Sequence, residues 1–369
     1  MTGGLSGRLP DFPWDTIAAA RRRAGEHPDG ICDLSIGTPV DPVPEAGVRA
    51  LADSAASWAG YPTVWGTPAL RAAIRGYMER RWQTTPLRDE NVLPVVGTKE
   101  LVAHLPLQLG IGAGDLVVIP TMAYPTYEVG ARIAGADVLA TDDPGEARAA
   151  KPALIWINSP GNPTGAIASP ELLRAWVDAA RASGAVLASD ECYGEFGWDA
   201  EPASVLRPDI CDGTPEGLIA AHSLSKRSNV AGYRAGFLAG CSGLLGELLA
   251  VRRHGGLMVP GPVQDAMTVL LGDHAHVETQ RERYLARRAV LRPALEAAGF
   301  RIDHSEGSLY LWARRGDESG REIVGWLAER GILAAPGDFY GRAGRFHVRV
   351  ALTATDERIA SAVARLEAA

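Results

Sequence analysis

Seven short apolar runs, separated by helical patterns, constrain the fold of this 369-residue chain more than any other feature. In chain order they are residues 91–96, 116–120, 137–140, 153–157, 185–189, 218–221 and 236–239. Most of them lack polar and apolar alternation and are followed by turn residues, as is typical of strands that helices cover on both faces. The pattern therefore predicts an α/β fold in which a mainly parallel seven-stranded sheet lies between helices.

The two ends of the chain predict a second, smaller domain. The first 47 residues are rich in proline and glycine and contain one short helical pattern near residues 14–24. After Pro262 a long helical pattern runs through residues 281–292, and a strand, a helix and a strand follow at 308–313, 322–330 and 347–351. We therefore predict a large domain over residues 48–275, and a small α+β domain that combines residues 1–47 with residues 276–369.

Charge and composition exclude several classes of function. A net charge of −7 provides no basic field for nucleic acid or an anionic membrane. No apolar run is long enough to span a bilayer, and the N-terminus has no signal-peptide pattern. The four cysteines form no CxxC pair, which favours free thiols in the cytoplasm. His274 and His276 lack matching ligands, so we expect no metal site.

Lysine is scarce in this chain, which makes the position of one lysine informative. Only Lys99, Lys151 and Lys226 occur, and arginine carries the remaining basic charge. Lys226 follows Ser223-Leu224-Ser225 and stands eight residues before Arg234. Chemistry that needs an amine and cannot use a guanidinium is Schiff-base formation with a carbonyl. The alternative is a solvated lysine without a chemical role.

Polar motifs follow two of the predicted strands. The string Asn-Ser-Pro-Gly-Asn-Pro-Thr-Gly at 158–165 follows the run 153–157 and presents Asn162. An ordinary turn is the alternative for this string. Asp190 follows the run 185–189, where a buried acid needs a cation or hydrogen bonds. A helix N-cap is the alternative for Asp190.

Two further segments have the composition of an anion site. Gly97-Thr98-Lys99 follows the run 91–96 and opens a helical pattern, where free N–H groups bind phosphate, although any junction of this kind produces the signal. The segment 223–226 and Arg234 add hydroxyls and a forked cation. In an open parallel sheet, ligands bind at the carboxyl ends of the strands. An amine, an acid and an anion cradle there are the groups that pyridoxal phosphate requires.

The order and spacing of these motifs resemble those of fold-type I pyridoxal-phosphate aminotransferases of class I/II, over nearly the whole chain. Further matching strings are residues 61–66 before Leu70-Arg71, residues 124–127, and His347-Val348-Arg349. Within that family, residues 34–42 and 61–68 are most similar to succinyldiaminopimelate aminotransferases.

The resemblance implies a role for each matching residue at the cofactor ring. Lys226 would hold pyridoxal 5′-phosphate as a Schiff base and move the proton during catalysis. Asp190 would keep the ring nitrogen protonated. Asn162 and Tyr193 would bond to the ring oxygen, and Tyr124 would stack on the ring. A buried core position is the alternative for Tyr124 and for Tyr127.

The resemblance also implies where the phosphate and the substrate bind. The residues that would hold the phosphate are Gly97, Thr98, Lys99, Ser223, Ser225 and Arg234, with a plain loop position as the alternative for Ser225. Tyr61 would reach the phosphate of a neighbouring subunit, which implies a homodimer with sites at the subunit interface. Gly37, Asn162 and Arg349 would receive the substrate carboxylate. A solvent-facing strand position is the alternative for Arg349.

The implied activity is transfer of an amino group between glutamate and a 2-keto acid. The implied acceptor is N-succinyl-2-amino-6-oxopimelate, in lysine and diaminopimelate biosynthesis. The alternatives are a general aspartate or aromatic aminotransferase, a C–S lyase on the same fold, and a non-catalytic binding domain. Arg342 and Arg345 are candidates to bind the anionic far end of the substrate, with simple solvation as the alternative for both.

Overall fold

The computed structural model describes residues 4–368, apart from the side chain of Arg8. Its strands, in chain order, are β1 (Cys32–Asp33), β2 (Val92–Val96), β3 (Leu116–Ile119), β4 (Asp137–Ala140), β5 (Leu154–Asn158), β6 (Val186–Asp190), β7 (Leu218–Ser223), β8 (Ala235–Gly240), β9 (Arg301–His304), β10 (Tyr310–Arg314), β11 (Ile332–Leu333), β12 (Ala335–Pro336) and β13 (Val348–Ala351). Seven of them form one sheet in the order β2-β8-β7-β6-β5-β3-β4. Its strands are parallel except β8, which runs antiparallel to β7 and β2. The predicted mainly parallel sheet is confirmed.

Helices cover both faces of this sheet. The helices, in chain order, are α1 (Ala18–Gly25), α2 (Glu45–Ser54), α3 (Pro68–Trp82), α4 (Thr98–Gln108), α5 (Thr126–Ala134), α6 (Pro144–Ala150), α7 (Pro170–Ser183), α8 (Pro208–Cys211), α9 (Leu224–Arg227), α10 (Ser242–His254), α11 (Gly261–Gly272), α12 (Ala275–Ala297), α13 (Gly320–Ala328) and α14 (Asp356–Glu367). Ile155 and Ile157 of β5 belong to the core beside α3, α7 and α11, whereas Leu154 and Trp156 belong to the core beside α4, α5 and α10. Successive side chains of a strand point to opposite faces, so a strand buried on both faces shows no alternation.

A smaller antiparallel sheet completes the fold. Its order is β12-β13-β10-β9, and it shares a separate hydrophobic core with α1, α12, α13 and α14. The predicted α+β portion is thus confirmed, and β1 near the N-terminus pairs with β11 near the C-terminus. The predicted boundaries, 48–275 against 1–47 and 276–369, stay predictions. None of the helices within residues 4–368 has the length and apolar character needed to cross a membrane.

The structure differs from the sequence prediction at one helical pattern and at four strands that were not predicted, β1, β9, β11 and β12. The helical pattern after Pro262 is two helices, α11 and α12, because the chain turns at Asp273, whose Oδ1 accepts the Ala275 N–H at 2.9 Å. The strand β9 was missed, because its four residues are exposed or only half-buried at the edge of the small sheet.

Strand direction brings the sequence motifs to one edge of the large sheet. Asn158 at the end of β5 is paired with Asp190 at the end of β6, and Ser223 ends the neighbouring β7. Since β8 runs the opposite way, its first residues lie beside the last residues of β7, and Gly236 pairs with Ser223. Arg234 therefore reaches the same edge although it precedes its strand.

Candidate active site

A cavity of about 620 Å³ lies at this edge, beside the small sheet. Twelve of the fourteen residues predicted for the site line it: Gly37, Thr98, Lys99, Tyr124, Asn162, Asp190, Tyr193, Ser223, Ser225, Lys226, Arg234 and Arg349. The other two, Gly97 and Tyr61, are not part of its lining. Within residues 4–368, no group of three or more His, Cys, Asp or Glu side chains is arranged to hold a metal ion.

Lys226 contributes an amine of unusual acidity to the cavity. It lies in the short helix α9, directly after β7. Burial lowers the pKa of its ammonium group to about 8, and repulsion by Arg349 and Arg234 acts in the same direction. Because the neutral amine is the nucleophile, this lysine has a large uncharged fraction at pH values where an exposed lysine has almost none.

Asp190 contributes a buried carboxylate that is hydrogen-bonded but not paired with a charge. Its Oδ2 accepts the Tyr127 hydroxyl at 2.7 Å, and its Oδ1 accepts the Cys192 N–H at 3.1 Å. In the described part of the chain, no basic side chain forms an ion pair with it. A buried carboxylate is stabilised by a cationic ligand, which a protonated ring nitrogen would be.

Tyr127 was expected only as a possible core aromatic, and the structure gives it a second contact. It is fully buried and stacks on Trp156 with ring centroids 4.9 Å apart, so it is a core residue. Its hydroxyl also positions the Asp190 carboxylate. The sequence signal for this contact was weak, because 63 residues separate the two side chains.

Gly97 and Arg234, both predicted to hold an anion, are in direct contact. Gly97 precedes α4 with φ +74° and ψ 150°, a conformation that is essentially restricted to glycine. A Cβ on Gly97 would overlap with Arg234 Nη2, so the guanidinium rests directly against the glycine backbone. The Arg234 Nη1 donates to the Ala231 carbonyl at 2.9 Å, which holds the guanidinium in this position.

Gly97→Ala should therefore weaken the binding of pyridoxal 5′-phosphate to the apoprotein by about tenfold, through backbone strain and displacement of Arg234. Titration of the apoprotein with the cofactor, followed by absorbance, measures this affinity. Gly110→Ala is the matched control, since Gly110 also has a positive φ of 76° but a Cβ there would meet nothing within 4 Å. Equal cofactor affinity in the two variants would contradict the role given to the Gly97–Arg234 contact.

Ser223 and Ser225 also belong to the predicted anion site. The Ser225 N–H donates to Ser223 Oγ at 3.1 Å, so Ser223 caps α9, and its hydroxyl proton remains available for another acceptor. Both residues line the cavity with Arg234. Hydroxyl groups and a forked cation together suit a phosphate.

Arg349 is buried in β13, so the alternative of a solvent-facing strand position is wrong. The residue is only 3% exposed, and its guanidinium lies over the Tyr310 ring, with Cζ 4.1 Å from the ring centroid. Its Nη1 donates to Asn162 Oδ1 at 2.8 Å, and its Nη2 donates to the Ser35 carbonyl at 2.7 Å. The Arg349 Nε is buried and has no acceptor in the described structure, which a carboxylate ligand would provide.

Two tyrosines and one glycine connect Arg349 to the rest of the cavity. The hydroxyls of Tyr193 and Tyr310 are 2.8 Å apart. A Cβ on Gly37 would overlap with the Tyr310 hydroxyl, so only glycine permits this approach. Tyr310 was missed in the sequence, because nothing local relates its strand to Gly37.

Asn158 organises the loop that presents Asn162, and it was also missed. Its Nδ2 donates to the carbonyls of Asp190 at 2.8 Å and Pro160 at 3.2 Å, while its Oδ1 accepts the Asn162 N–H at 2.7 Å. The peptide bonds Ser159-Pro160 and Asn162-Pro163 are cis. Asn158 therefore links the ends of β5 and β6 and orients Asn162.

Three residues predicted for binding lie elsewhere in the isolated chain. Tyr61 is 96% exposed, and its predicted contact with a partner subunit stays a prediction. Arg342 lines a second cavity, and Arg345 lies over Phe346, so neither borders the cavity around Lys226. The expectation that Arg342 and Arg345 serve this cavity is not met in the structure.

The residues present fit pyridoxal 5′-phosphate. The amine, the carboxylate without a cationic partner and the phosphate donors lie around one cavity, and the backbone of Gly97 makes room for Arg234. This donor set matches the aldehyde, the ring nitrogen and the phosphate of that group.

Comparisons with known proteins agree with this chemistry. The sequence model of the family described as aminotransferase class I and II matches residues 29–366. Probable aminotransferase Rv1178 of Mycobacterium tuberculosis is 57% identical over 99% of this chain and 87% of its own length. The 4-dedimethylamino-4-oxo-anhydrotetracycline transaminase OxyQ of Streptomyces rimosus is 53% identical over 97% of this chain and 99% of its own length.

A solved structure shows the same overall fold. It is the probable N-succinyldiaminopimelate aminotransferase of Thermus thermophilus, which is 28% identical to this chain. The superposition has a TM-score of 0.88 and covers 97% of this chain and 100% of the other.

Proposed function

Because this chain belongs to the class I and II aminotransferase family, whose cofactor is pyridoxal 5′-phosphate, we propose that it transfers an amino group from glutamate to a 2-keto acid in the cavity around Lys226. The observation that carries the proposal is the position of Lys226. Its amine has a pKa of about 8 and lines the same cavity as the unpaired Asp190 carboxylate and the buried Arg349 guanidinium.

We assign the cofactor contacts as follows. Lys226 would attach the cofactor covalently, Asp190 would pair with the ring nitrogen, and Tyr124 would stack on the ring. Asn162 and Tyr193 would bond to the ring oxygen. The phosphate would be held by the N–H groups of Thr98 and Lys99, by Ser223, Ser225 and Arg234, and by Tyr61 of the partner subunit.

The cofactor, when bound, supplies an electron-withdrawing ring that stabilises negative charge at the substrate α-carbon. Lys226 Nζ moves the proton at that carbon, and its lowered pKa allows it both to accept and to return a proton near neutral pH. Arg349 binds the substrate carboxylate through a forked contact, and Asn162 holds the guanidinium in place. Tyr310 and Tyr340 lie beside the Arg349 guanidinium and exclude water from it.

We propose N-succinyl-2-amino-6-oxopimelate as the acceptor, which places the reaction in lysine and diaminopimelate biosynthesis. The strings at residues 34–42 and 61–68 support this acceptor, as does the likeness to the Thermus thermophilus protein named for a related substrate. A cavity of about 620 Å³ also falls in the size range of sites that enclose whole small molecules. The homodimer and the cytoplasmic location remain predictions.

A second acceptor, a polycyclic ketone, is favoured by one specific observation. The Streptomyces rimosus relative is named as a transaminase of such a compound and is 53% identical to this chain. Phe12 and Trp14 line the cavity and would pack against a ring system. This acceptor differs from the first in carrying no α-carboxylate for Arg349.

A panel of acceptors tests the proposal. Purified holoenzyme with glutamate should give at least about tenfold higher kcat/KM for N-succinyl-2-amino-6-oxopimelate than for oxaloacetate or phenylpyruvate, because binding of the remote end lowers the barrier at the reacting centre. Pyruvate release from cystathionine without an acceptor would indicate the lyase instead.

Arg349→Lys should weaken the binding of every keto acid in the panel but not the binding of a polycyclic ketone, since lysine lacks the forked donor groups of arginine. Equal or better activity with oxaloacetate would reject the proposed acceptor.

A further inference from the structure

Three side chains from the N-terminal segment line the cavity and have no role in the proposed reaction with a keto acid. They are Phe12, Trp14 and Arg21. They lie beside Ile36 and Thr38, which follow β1 and flank Gly37. This part of the wall borders the proposed substrate end of the cavity, because Gly37 and Arg349 stand there.

Local packing fixes the segment that carries these residues. A 3-10 turn, Pro13–Ile17, runs directly into α1. Ile17 and Ala24 are buried, and Arg21 lies between them on the same helix face. This helical spacing is the sequence signal that could have identified Arg21. Arg321 Nη1 donates to Thr16 Oγ1 at 3.1 Å and ties the segment to α13.

The aromatic part of this wall is held in place by ring contacts. The Trp14 ring lies 5.6 Å from the Phe12 ring and 5.4 Å from the Phe339 ring, measured between centroids. Its indole Nε1 is buried and has no acceptor in the described structure. Phe12 is 56% exposed, although it borders the cavity. A flat amide group would pack against the rings, and its carbonyl oxygen would accept the indole N–H.

Arg21 is linked to Arg349 through one short stretch of backbone. Arg21 Nη1 pairs with Asp33 Oδ2 at 2.9 Å, and Asp33 Oδ1 accepts both the N–H and the hydroxyl of Ser35. The Ser35 carbonyl in turn accepts from Arg349. The segment from Asp33 to Ser35 therefore holds two guanidinium groups at one cavity. Arg21 uses only Nη1 on Asp33, so its other N–H groups remain available to a ligand.

The cavity beside Arg21 and the cavity beside Arg342 differ in the charge of their walls. The basic residues on the wall of the Lys226 cavity outnumber the acids: Arg21, Lys99, Lys226, Arg234 and Arg349 against Asp190. On the wall of the second cavity the acids outnumber the basic residues: Asp11, Glu128 and Asp338 against Arg321 and Arg342. A second carboxylate of a substrate is therefore favoured at Arg21.

We propose that Arg21, with Trp14 and Phe12, binds the far end of the substrate, and that this end is an amide-linked carboxylate. The inference rests on the proposed function only in placing the α-carboxylate at Arg349. The enzyme then selects long keto acids that have a far carboxylate for Arg21 in addition to the α-carboxylate on Arg349, and the amide beside the far carboxylate packs against Trp14.

Two unreactive probes isolate the far carboxylate. N-Succinyl-6-aminohexanoate has a carboxylate at each end of an amide, and N-propanoyl-6-aminohexanoate is its counterpart without the far carboxylate. Calorimetric titration of wild-type holoenzyme should show the succinyl probe binding about tenfold more tightly, as expected for a charge-assisted hydrogen bond. Arg21→Gln should make the two affinities equal. Trp14→Phe, which keeps an aromatic ring but removes the indole N–H, should weaken the binding of both probes by about threefold.

Arg342→Gln is the matched control, because Arg342 is an arginine outside this cavity. It should keep the wild-type ratio of the two affinities. Thermal unfolding and the cofactor absorbance of each variant, both expected to be unchanged, separate the binding effect from misfolding. An unchanged ratio in Arg21→Gln, a lost ratio in Arg342→Gln, or equal binding of the probes by the wild type would each overturn the inference.

The probes bind without turnover, so this test is independent of the acceptor panel. If the panel selects another acceptor while Arg21→Gln still removes the tenfold ratio, the proposed substrate fails and the Arg21 site stands.

Discussion

Lys226→Ala should abolish covalent attachment of pyridoxal 5′-phosphate and lower turnover by about 10³-fold or more, because it removes the amine to which both covalent attachment and proton transfer are assigned. Borohydride reduction of the wild-type holoenzyme, followed by peptide mapping, should place the label on Lys226. The chain contains only two other lysines, Lys99 and Lys151, so the assignment is unambiguous. Lys151→Arg should retain full activity and labelling. Label on Lys99 or Lys151 would reject the mechanism.

The lowered pKa of Lys226 adds a pH dependence to this result. Because the pKa of Lys226 is about 8, the ammonium form predominates at a pH below this value and the neutral amine predominates at a pH above it. The rate at which the apoprotein captures the cofactor should therefore rise with pH up to about 8 and then level off. Stopped-flow absorbance measures this rate. A rate that continues to rise to pH 10 would indicate a lysine without the predicted shift.

Replacing Asp190 should have the second largest effect. Asp190→Asn keeps an oxygen for the Tyr127 hydroxyl but removes the negative charge, so the ring nitrogen of the cofactor loses its partner. Turnover should fall by about 10³-fold, in the range measured for removing one preorganised electrostatic contact in other enzymes. Steady-state kinetics and the cofactor spectrum check this result, and Asp190→Glu should recover part of the activity.

Two controls distinguish charge from packing at Asp190. Tyr127→Phe removes the hydrogen bond donor but leaves the carboxylate, and it should cost only a few-fold in turnover, or about 1 kcal/mol. Asp190→Ala also leaves the buried Tyr127 hydroxyl without an acceptor, and it should lower the free energy of unfolding by about 1–3 kcal/mol. Near wild-type turnover of Asp190→Asn would mean that this carboxylate only accepts local N–H and O–H groups.

The strands of the large sheet could be predicted because both of their faces are buried. In β5, Leu154 and Trp156 face one helical layer, and Ile155 and Ile157 face the other, so every position favours an apolar residue. Polar residues then appear only where the strand ends, as at Asn158 and Asp190. Parallel strands bring their carboxyl ends to one edge, which is why the motifs could be assigned to a common site.

Arg342 and Arg345 show where proximity in the sequence was misleading. Both lie close to Arg349 along the chain, yet they stand in or beside a 3-10 turn, Arg342–Gly344. The turn directs Arg342 to the second cavity and leaves Arg345 against Phe346. Arg21, far away in the sequence, takes the position beside the active cavity because β1 pairs with β11 and brings the N-terminal segment to the small sheet.

The sequence by itself determined the large sheet and its strand ends, because burial and turn chemistry act over a few neighbouring residues, and it predicted Lys226 as the amine. Only the tertiary structure decided which side chains meet: Tyr127 with Asp190, Asn162 with Arg349, and Tyr310 with Gly37. Each of these pairs joins segments that are distant in the chain, and two of them cross from the large sheet or the N-terminal segment to the small sheet. Their contacts depend on how whole layers pack, and no local pattern of residues records that packing.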